Sequence, residues 1–546
     1  MADGSKFERG PLGGQVDAVV VGAGFGGMYM LHRLRELGVS VQGFEAGNDV
    51  GGTWYWNRYP GARCDIPSLA YSYTWDEALR KEWRWTEKYA AQPEILAYAR
   101  HVADRYDLRP LIAFETRVLS ATFDDGADLW RVVTDRGDQL AARWLVMATG
   151  CLSTPRAPAI PGVESFAGPT YHTGAWPHEG VDFAGQRVAV IGTGSSGIQS
   201  IPQIAAQADR VTVFQRTPNF SIPARNTPLT DADIAAFEEM YPAYLAMVKG
   251  PGLGFGGSST ELPIPDAAAQ RKRYEELWEI GGAGFLAAWG NLLTSVEVNE
   301  RAASFVRGKI AEVVADPATA RALQPRDHPL GAKRICVDID YYETYNRPNV
   351  ELVNLRETPI EAITATSVRT AAATYDVDAL VFATGFDAMT GALKAIDIKG
   401  AGGRDFREAW AEGPKAYLGL AVAGFPNMFI ITGPGSPSVL SNMINSIEQH
   451  VEWIAACVAH MREHGLTRIE ADQETQEAWV RHVAAVADKT LFPRAASWYM
   501  GANIPGKPRV FMPYIGAGYR KKCADVAAAG YEGFELAKER ADVHPA

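Results

Sequence analysis

Two copies of one pattern predict an α/β protein: two doubly wound, Rossmann-like dinucleotide-binding domains, with a helical insertion in the second. In each copy a short apolar strand enters a glycine-rich turn, a helix follows, and a second strand completes a βαβ unit. The first copy is a strand over 17–22, a helix over 26–37 ended by Gly38, and a strand over 39–45. The second is a strand over 186–192, a helix running to Ala208, and a strand over 211–214. Unbroken β-branched runs suit parallel strands buried on both faces. The length of 546 residues leaves room for about three domains at roughly 100–200 residues each.

The order of elements divides the chain further. Segments 145–150 and 380–385 are each a buried strand running into a small-residue turn, the pattern expected where the chain crosses between domains. The first domain is therefore expected to take 1–150 and 386–546, and the second 151–224 and 331–385. Between those last two, 225–330 reads as a helical insertion, with helices over 267–280 and 300–314 and a mobile loop over the Gly/Pro/Ser-rich 250–265.

Composition excludes several classes. The formal net charge is −11 with no Lys/Arg block, which argues against nucleic acid or an anionic membrane as partner. Five scattered cysteines without a C-x-x-C pair argue against a disulfide framework and a dithiol reductase, and fit a reducing compartment. The first fifteen residues lack a signal-peptide layout, and no apolar run reaches the ~18–20 residues of a membrane span. A cytoplasmic enzyme is expected. No zinc-ligand spacing is present, and no G-x-S-x-G elbow stands between a strand and a helix.

The two glycine clusters differ in the residue at the end of the next strand. Gly22, Gly24, Gly26 and Gly27 permit a tight turn, close approach of backbone to a pyrophosphate, and helix-on-strand packing. Glu45 lies about 20 residues on, where a carboxylate bonds ribose hydroxyls and repels a 2′-phosphate. That site should take FAD or NAD. The second cluster, Gly192-Thr193-Gly194-Ser195-Ser196-Gly197, has no acid at the equivalent place; Arg216 and Thr217 stand there instead. A guanidinium forks onto a phosphate, so this site should prefer NADPH.

Two further strings carry a resemblance. Phe166-Ala-Gly168-Pro-Thr-Tyr-His172-Thr-Gly-Ala-Trp176-Pro177 fits F-x-G-x-x-x-H-x-x-x-W-P, and Gly51-Gly52-Thr53-Trp54-Tyr55-Trp56-Asn-Arg-Tyr59-Pro60-Gly61-Ala-Arg63-Cys64-Asp65 is complete. With 331–334, 341–346 and 497–506, these make the chain resemble the type I Baeyer–Villiger monooxygenases nearly end to end, nearest the phenylacetone and steroid monooxygenase branch. Trp176 leans away from the related N-oxygenating enzymes, which usually carry Tyr or Phe there.

The resemblance implies FAD, NADPH and dioxygen, and conversion of aromatic, cyclic or steroid-like ketones to esters or lactones through a flavin 4a-peroxide. It implies that Arg334 stabilises the anions of the reaction and that Asp65 pairs with it. On the FAD side it points to Thr53, Trp54, Tyr55, Trp56, Arg63, Cys64, Asp65, Tyr71, Val118 and Met443. On the NADPH side it points to Thr193, Ser195, Ser196, Ile198, Gln199, Lys333 and Trp498, with Lys333 joining Arg216 at the 2′-phosphate. Ser438, Val439 and Leu440 are the expected ketone-pocket residues, and His172 is expected to order an interdomain hinge rather than act as a base. The rivals are a flavin N- or S-oxygenase, which needs no Arg334–Asp65 pair, and a non-catalytic NADPH-sensing flavoprotein.

Overall fold

The computed structural model describes residues 12–156, 158–250 and 266–538. The expected loop beyond Gly250 and the first eleven residues lie outside these. The first sheet is built from β1 (Gly13–Val21), β2 (Val41–Phe44), β3 (Ile112–Ala113), β4 (Val118–Asp124), β5 (Leu129–Thr134) and β6 (Gln139–Met147). Then come β7 (Thr170–His172), β8 (Arg187–Ile191), β9 (Arg210–Gln215), β10 (Ser221–Pro223), β11 (Cys336–Asp338), β12 (Val350–Asn354), β13 (Ile360–Ile363), β14 (Ser367–Thr370), β15 (Thr374–Asp376) and β16 (Ala379–Phe382). Finally, β17 (Asp397–Lys399) and β18 (Met428–Ile430) return to the first sheet, whose order is β17-β4-β5-β6-β1-β2-β3 with β18 on β6. The second large sheet, β12-β9-β8-β16-β7, is parallel throughout.

The unbroken apolar stretches 18–21 and 188–191 follow from two covered faces. Ala18 and Val20 of β1 face the helices Phe25–Glu36 and Met443–Glu463, whereas Val19 and Val21 face a second cluster with Phe44, Trp130 and Trp410. β8 repeats the device: Val188 and Val190 join one core, Ala189 and Ile191 another. The chain leaves the second sheet through helices Asp231–Lys249, Ala267–Ile280, Val296–Val313 and Pro317–Leu323, bracketed by the β10–β11 pair.

Several element ends differ from expectation, among them the first strand, which starts at Gly13 rather than residue 17. β2 is shorter at both ends, because Val39 N–H still bonds Leu34 O and Glu45 N–H has turned to Ala113 O. The second-copy helix stops at Ala205 rather than Ala208, where Asn349 Nδ2 takes the carbonyls of Ala205 and Ala208. The helix expected from residue 300 starts at Val296, because the Ser295 hydroxyl caps Val298 N–H.

In both copies the last glycine of the turn is where helix meets strand. A Cβ on Gly27 would lie 1.8 Å from Gly22 O, and one on Gly197 2.3 Å from Gly192 O. Gly27→Ala is therefore expected to prise the helix off β1, with the roughly 1–3 kcal/mol cost of an overpacked site. A thermal melt should show a midpoint several degrees lower; an unchanged midpoint would refute the close-packing argument.

Candidate active site

Both glycine turns end at helices whose first N–H groups receive no side-chain cap. The Phe25–Glu36 helix starts at Gly24 and the Ser195–Ala205 helix at Gly194, whereas Asp76, Thr230, Asp266 and Asp472 cap their helices. Nothing lies within 4 Å of where a Gly194 Cβ would stand. Open donors at the positive end of a helix dipole fit a pyrophosphate at each turn. Glu45 is buried and fixes the first turn: Oε2 accepts from Ala23 N–H and Oε1 from Gly47 N–H, both at 2.8 Å. Burial outweighs these bonds and raises its pKa.

The segment after Gly52 wraps over the first turn. Thr53–Trp56 is a single helical turn; Trp54 Nε1 donates to Tyr71 Oη at 3.0 Å, and Tyr55 Oη donates to Asn48 Oδ1 at 2.8 Å. Trp56 bonds the Glu45 carboxylate. Val118 is buried in the core of β4, and Met443 begins the long helix that packs on Phe25–Glu36. The Arg63 guanidinium is taken up by Glu87 at 2.8 Å, so only its backbone carbonyl reaches the second turn, accepting from Gln199 Nε2 at 3.0 Å. Tyr59 Oη donates to Gln199 Oε1 at 2.8 Å. Gly61, at φ 80°, lets the two backbones touch: a Cβ there would stand 2.3 Å from Gln199 O.

Around the second turn, Thr193 Oγ1 donates to Thr217 O at 3.1 Å, Ser195 Oγ meets Cys336 Sγ at 3.3 Å, Ser196 bonds Tyr59, and Ile198 is fully buried. Arg216 is exposed at the end of β9, and Lys333 is half-buried beside it. Burial lowers the Lys333 pKa; Asp327 opposes this, and the nearby Arg216 and Arg356 charges add to it. Arg156 also feels the Arg216 charge. A cluster of like charges at an uncapped glycine turn fits a phosphate.

Arg334, next to Lys333, turns to the first sheet's side. Its Nε and Nη2 donate to Asp65 Oδ2 and Oδ1 at 2.9 and 2.7 Å, and Nη1 donates to Val439 O at 2.8 Å. Burial works against its charge, but Asp65 and Tyr499 more than compensate, and its pKa is raised. The side chains of Arg334 and Asp65 keep 27% and 19% exposure, so the pair is not sealed from solvent. Burial pushes the Cys151 thiol up to about 11 and Cys336 to about 12, so neither competes as an anion. Ser438 is buried at φ 43° and begins the Ser438–Leu440 turn that presents the Val439 carbonyl. Val439 is buried and Leu440 half-buried. Trp498 is half-buried against Tyr499.

His172 is spent on the linkers. Its Nδ1 accepts from Gly174 N–H at 2.9 Å, which leaves Nε2 to donate to Arg156 O at 3.2 Å. Thr384 Oγ1 donates to the same carbonyl. Burial lowers the His172 pKa, and the residue ends β7 opposite Phe382.

With this geometry in hand, a family profile described as pyridine nucleotide-disulphide oxidoreductase matches residues 19–230. A Baeyer–Villiger monooxygenase of Pseudooceanicola batsensis is 43% identical over 95% of this chain and 96% of its own. The chain belongs to the Baeyer–Villiger monooxygenase family. An oxidised steroid monooxygenase bound to NADP has TM-score 0.91 and 50% identity to this monooxygenase, covering 96% of it and 100% of that chain. The structure of OTEMO in complex with FAD and NADP has TM-score 0.91 and 41% identity, covering 96% and 99%. A phenazine N-monooxygenase of Lysobacter antibioticus is also 42% identical, over 95% of this chain and 97% of its own. No helix among the described residues is long and apolar enough to cross a membrane.

Sequence reasoning missed Tyr499, buried against the Arg334 guanidinium, although it sits in the same motif as Trp498. It also missed Arg156 and Arg356, which only the packing of distant segments brings to Arg216. Arg216→Ala in this monooxygenase is expected to weaken NADPH binding by about tenfold to a hundredfold while leaving NADH unchanged. Steady-state KM values for both coenzymes check this; equal losses for the two would refute the phosphate assignment.

Proposed function

We propose that this FAD-dependent monooxygenase converts aromatic, cyclic or steroid-like ketones to esters or lactones, consuming NADPH and dioxygen and releasing water and NADP+. The observation that carries the reading is the forked Arg334–Asp65 pair, anchored on the Val439 carbonyl. In this reading the first glycine turn, Glu45 and segment 53–71 hold FAD. The second turn, Arg216, Thr217, Lys333 and Trp498 hold NADPH.

Bound FAD, once reduced by NADPH, supplies the activated oxygen. The chain's part is positional and electrostatic. Arg334 would keep its full positive charge throughout turnover, since a guanidinium whose pKa is raised holds on to its protons. Asp65 fixes the plane of the guanidinium by two parallel bonds, and Val439 O fixes its third edge. The oxyanion that forms on a ketone carbonyl would thus meet a charge that needs no reorganisation. Ser438, Val439 and Leu440 would bound the ketone, and substrate range would follow their bulk. Five unpaired cysteines among the described residues support a reducing, cytoplasmic setting.

Similarity to the phenazine N-monooxygenase favours a second reading, oxygen transfer to a ring nitrogen. A panel of ketones and phenazines with labelled dioxygen, read by mass spectrometry, separates the two. Labelled ester or lactone is expected; labelled N-oxide alone would replace the proposal.

Arg334→Ala is expected to cut ester formation by about a hundredfold to a thousandfold, the loss of one preorganised donor at ~2.7–4 kcal/mol. Arg334→Lys should recover only part, because an ammonium lacks the planar fork. NADPH consumed and ester formed are measured together, with hydrogen peroxide as the expected sink for the remaining electrons. An alanine variant making ester at wild-type rate and yield would defeat the role.

A further inference from the structure

We propose that Arg356 is a third cation recognising the 2′-phosphate of NADPH, kept in place by Asp327 and the buried His328; this rests on reading the second glycine turn as the NADPH site. The strand ladder delivers it. β12 pairs with β9 so that Asn354 lies opposite Gln215, and Leu355 N–H donates to Gln215 O at 2.8 Å. Arg216 is the first residue past β9 and Arg356 the second past β12, so both leave the sheet at the same corner. Arg356 Nη2 reaches Thr217 Oγ1 at 3.5 Å, so it lies over the residue immediately after Arg216.

The charge balance at this corner is lopsided. Arg216, Lys333 and Arg156 form no ion pair among the described residues, and Arg356 has one partner, Asp327. Asp327 in turn bonds His328 Nδ1 at 2.7 Å, and that imidazole side chain is only 1% exposed. His328 packs edge-on against Phe220, and its Nε2 is buried without a hydrogen-bond partner. Asp327 is thus clamped from behind and holds one guanidinium nitrogen of Arg356, leaving the remaining donors of a half-exposed fork available. Four cations with one carboxylate leave net positive charge at the place where a dianionic phosphate adds to the ribose. Like charges held together in this way are relieved by an anion, and an NAD molecule, lacking that group, gains nothing from them.

The test is direct binding to the FAD-loaded protein, by calorimetric titration with NADP+, NAD+ and adenosine 2′,5′-bisphosphate, without turnover. Arg356→Ala is expected to weaken NADP+ and the bisphosphate by about tenfold and to leave NAD+ unchanged. Arg356→Lys should recover part of the loss, since the charge returns without the fork. Arg216→Ala is the reference arm. If Arg216→Ala lowers the NADP+/NAD+ affinity ratio and Arg356→Ala does not, the inference about Arg356 is overturned while the site stands. If neither variant alters the ratio, the NADPH site itself is misplaced. An equal loss for both nucleotides in Arg356→Ala leaves the ratio unchanged and overturns the inference in the same way.

Discussion

Arg334 and Asp65 are 269 residues apart in sequence, and their two bonds join the segment laid over the first glycine turn to the loop leading into β11. A half-buried guanidinium without a carboxylate would be poorly tolerated there, and a lone Asp65 likewise. Each offsets the other's cost of burial, and the pair fixes how the second sheet's loops face the first sheet's. Tyr499 and the Val439 carbonyl complete the enclosure from the C-terminal segment. Four distant stretches of chain thus converge on one cation.

The contact between the two glycine turns is equally tight away from that cation. Gly61 meets the Gln199 backbone, and Tyr59 and the Arg63 carbonyl grip the Gln199 side chain from either side. The same short segment, 59–65, therefore touches the helix of the second turn and supplies Asp65. On the far side, His172 Nε2 and Thr384 Oγ1 both donate to Arg156 O, so the two segments that pass between the sheets meet at one carbonyl.

Much of this is legible in the chain itself. The alternation-free runs of β1 and β8, the glycine turns, and the contrast of Glu45 with Arg216 specify two nucleotide sites by local chemistry alone. The resemblance carried by the quoted motifs implies that Asp65 pairs with Arg334 and that Val439 lines the ketone pocket. Other features are not local. Arg63 sits in a motif, yet Glu87 takes its guanidinium, a partner that no spacing rule selects. Arg356 comes after an unremarkable strand, and its neighbourhood exists only because β12 pairs with β9. Helix ends shift where a remote side chain, such as Asn349, takes over the terminal carbonyls.

Lys333 and Arg334 are consecutive yet serve opposite neighbourhoods, one among the cations near Arg216 and the other against Asp65. Consecutive Cα atoms are fixed at about 3.8 Å, so a single peptide unit joins the cation cluster near Arg216 to the Arg334–Asp65 pair. Arg216, by contrast, stands on a strand end of its own, outside that shared peptide.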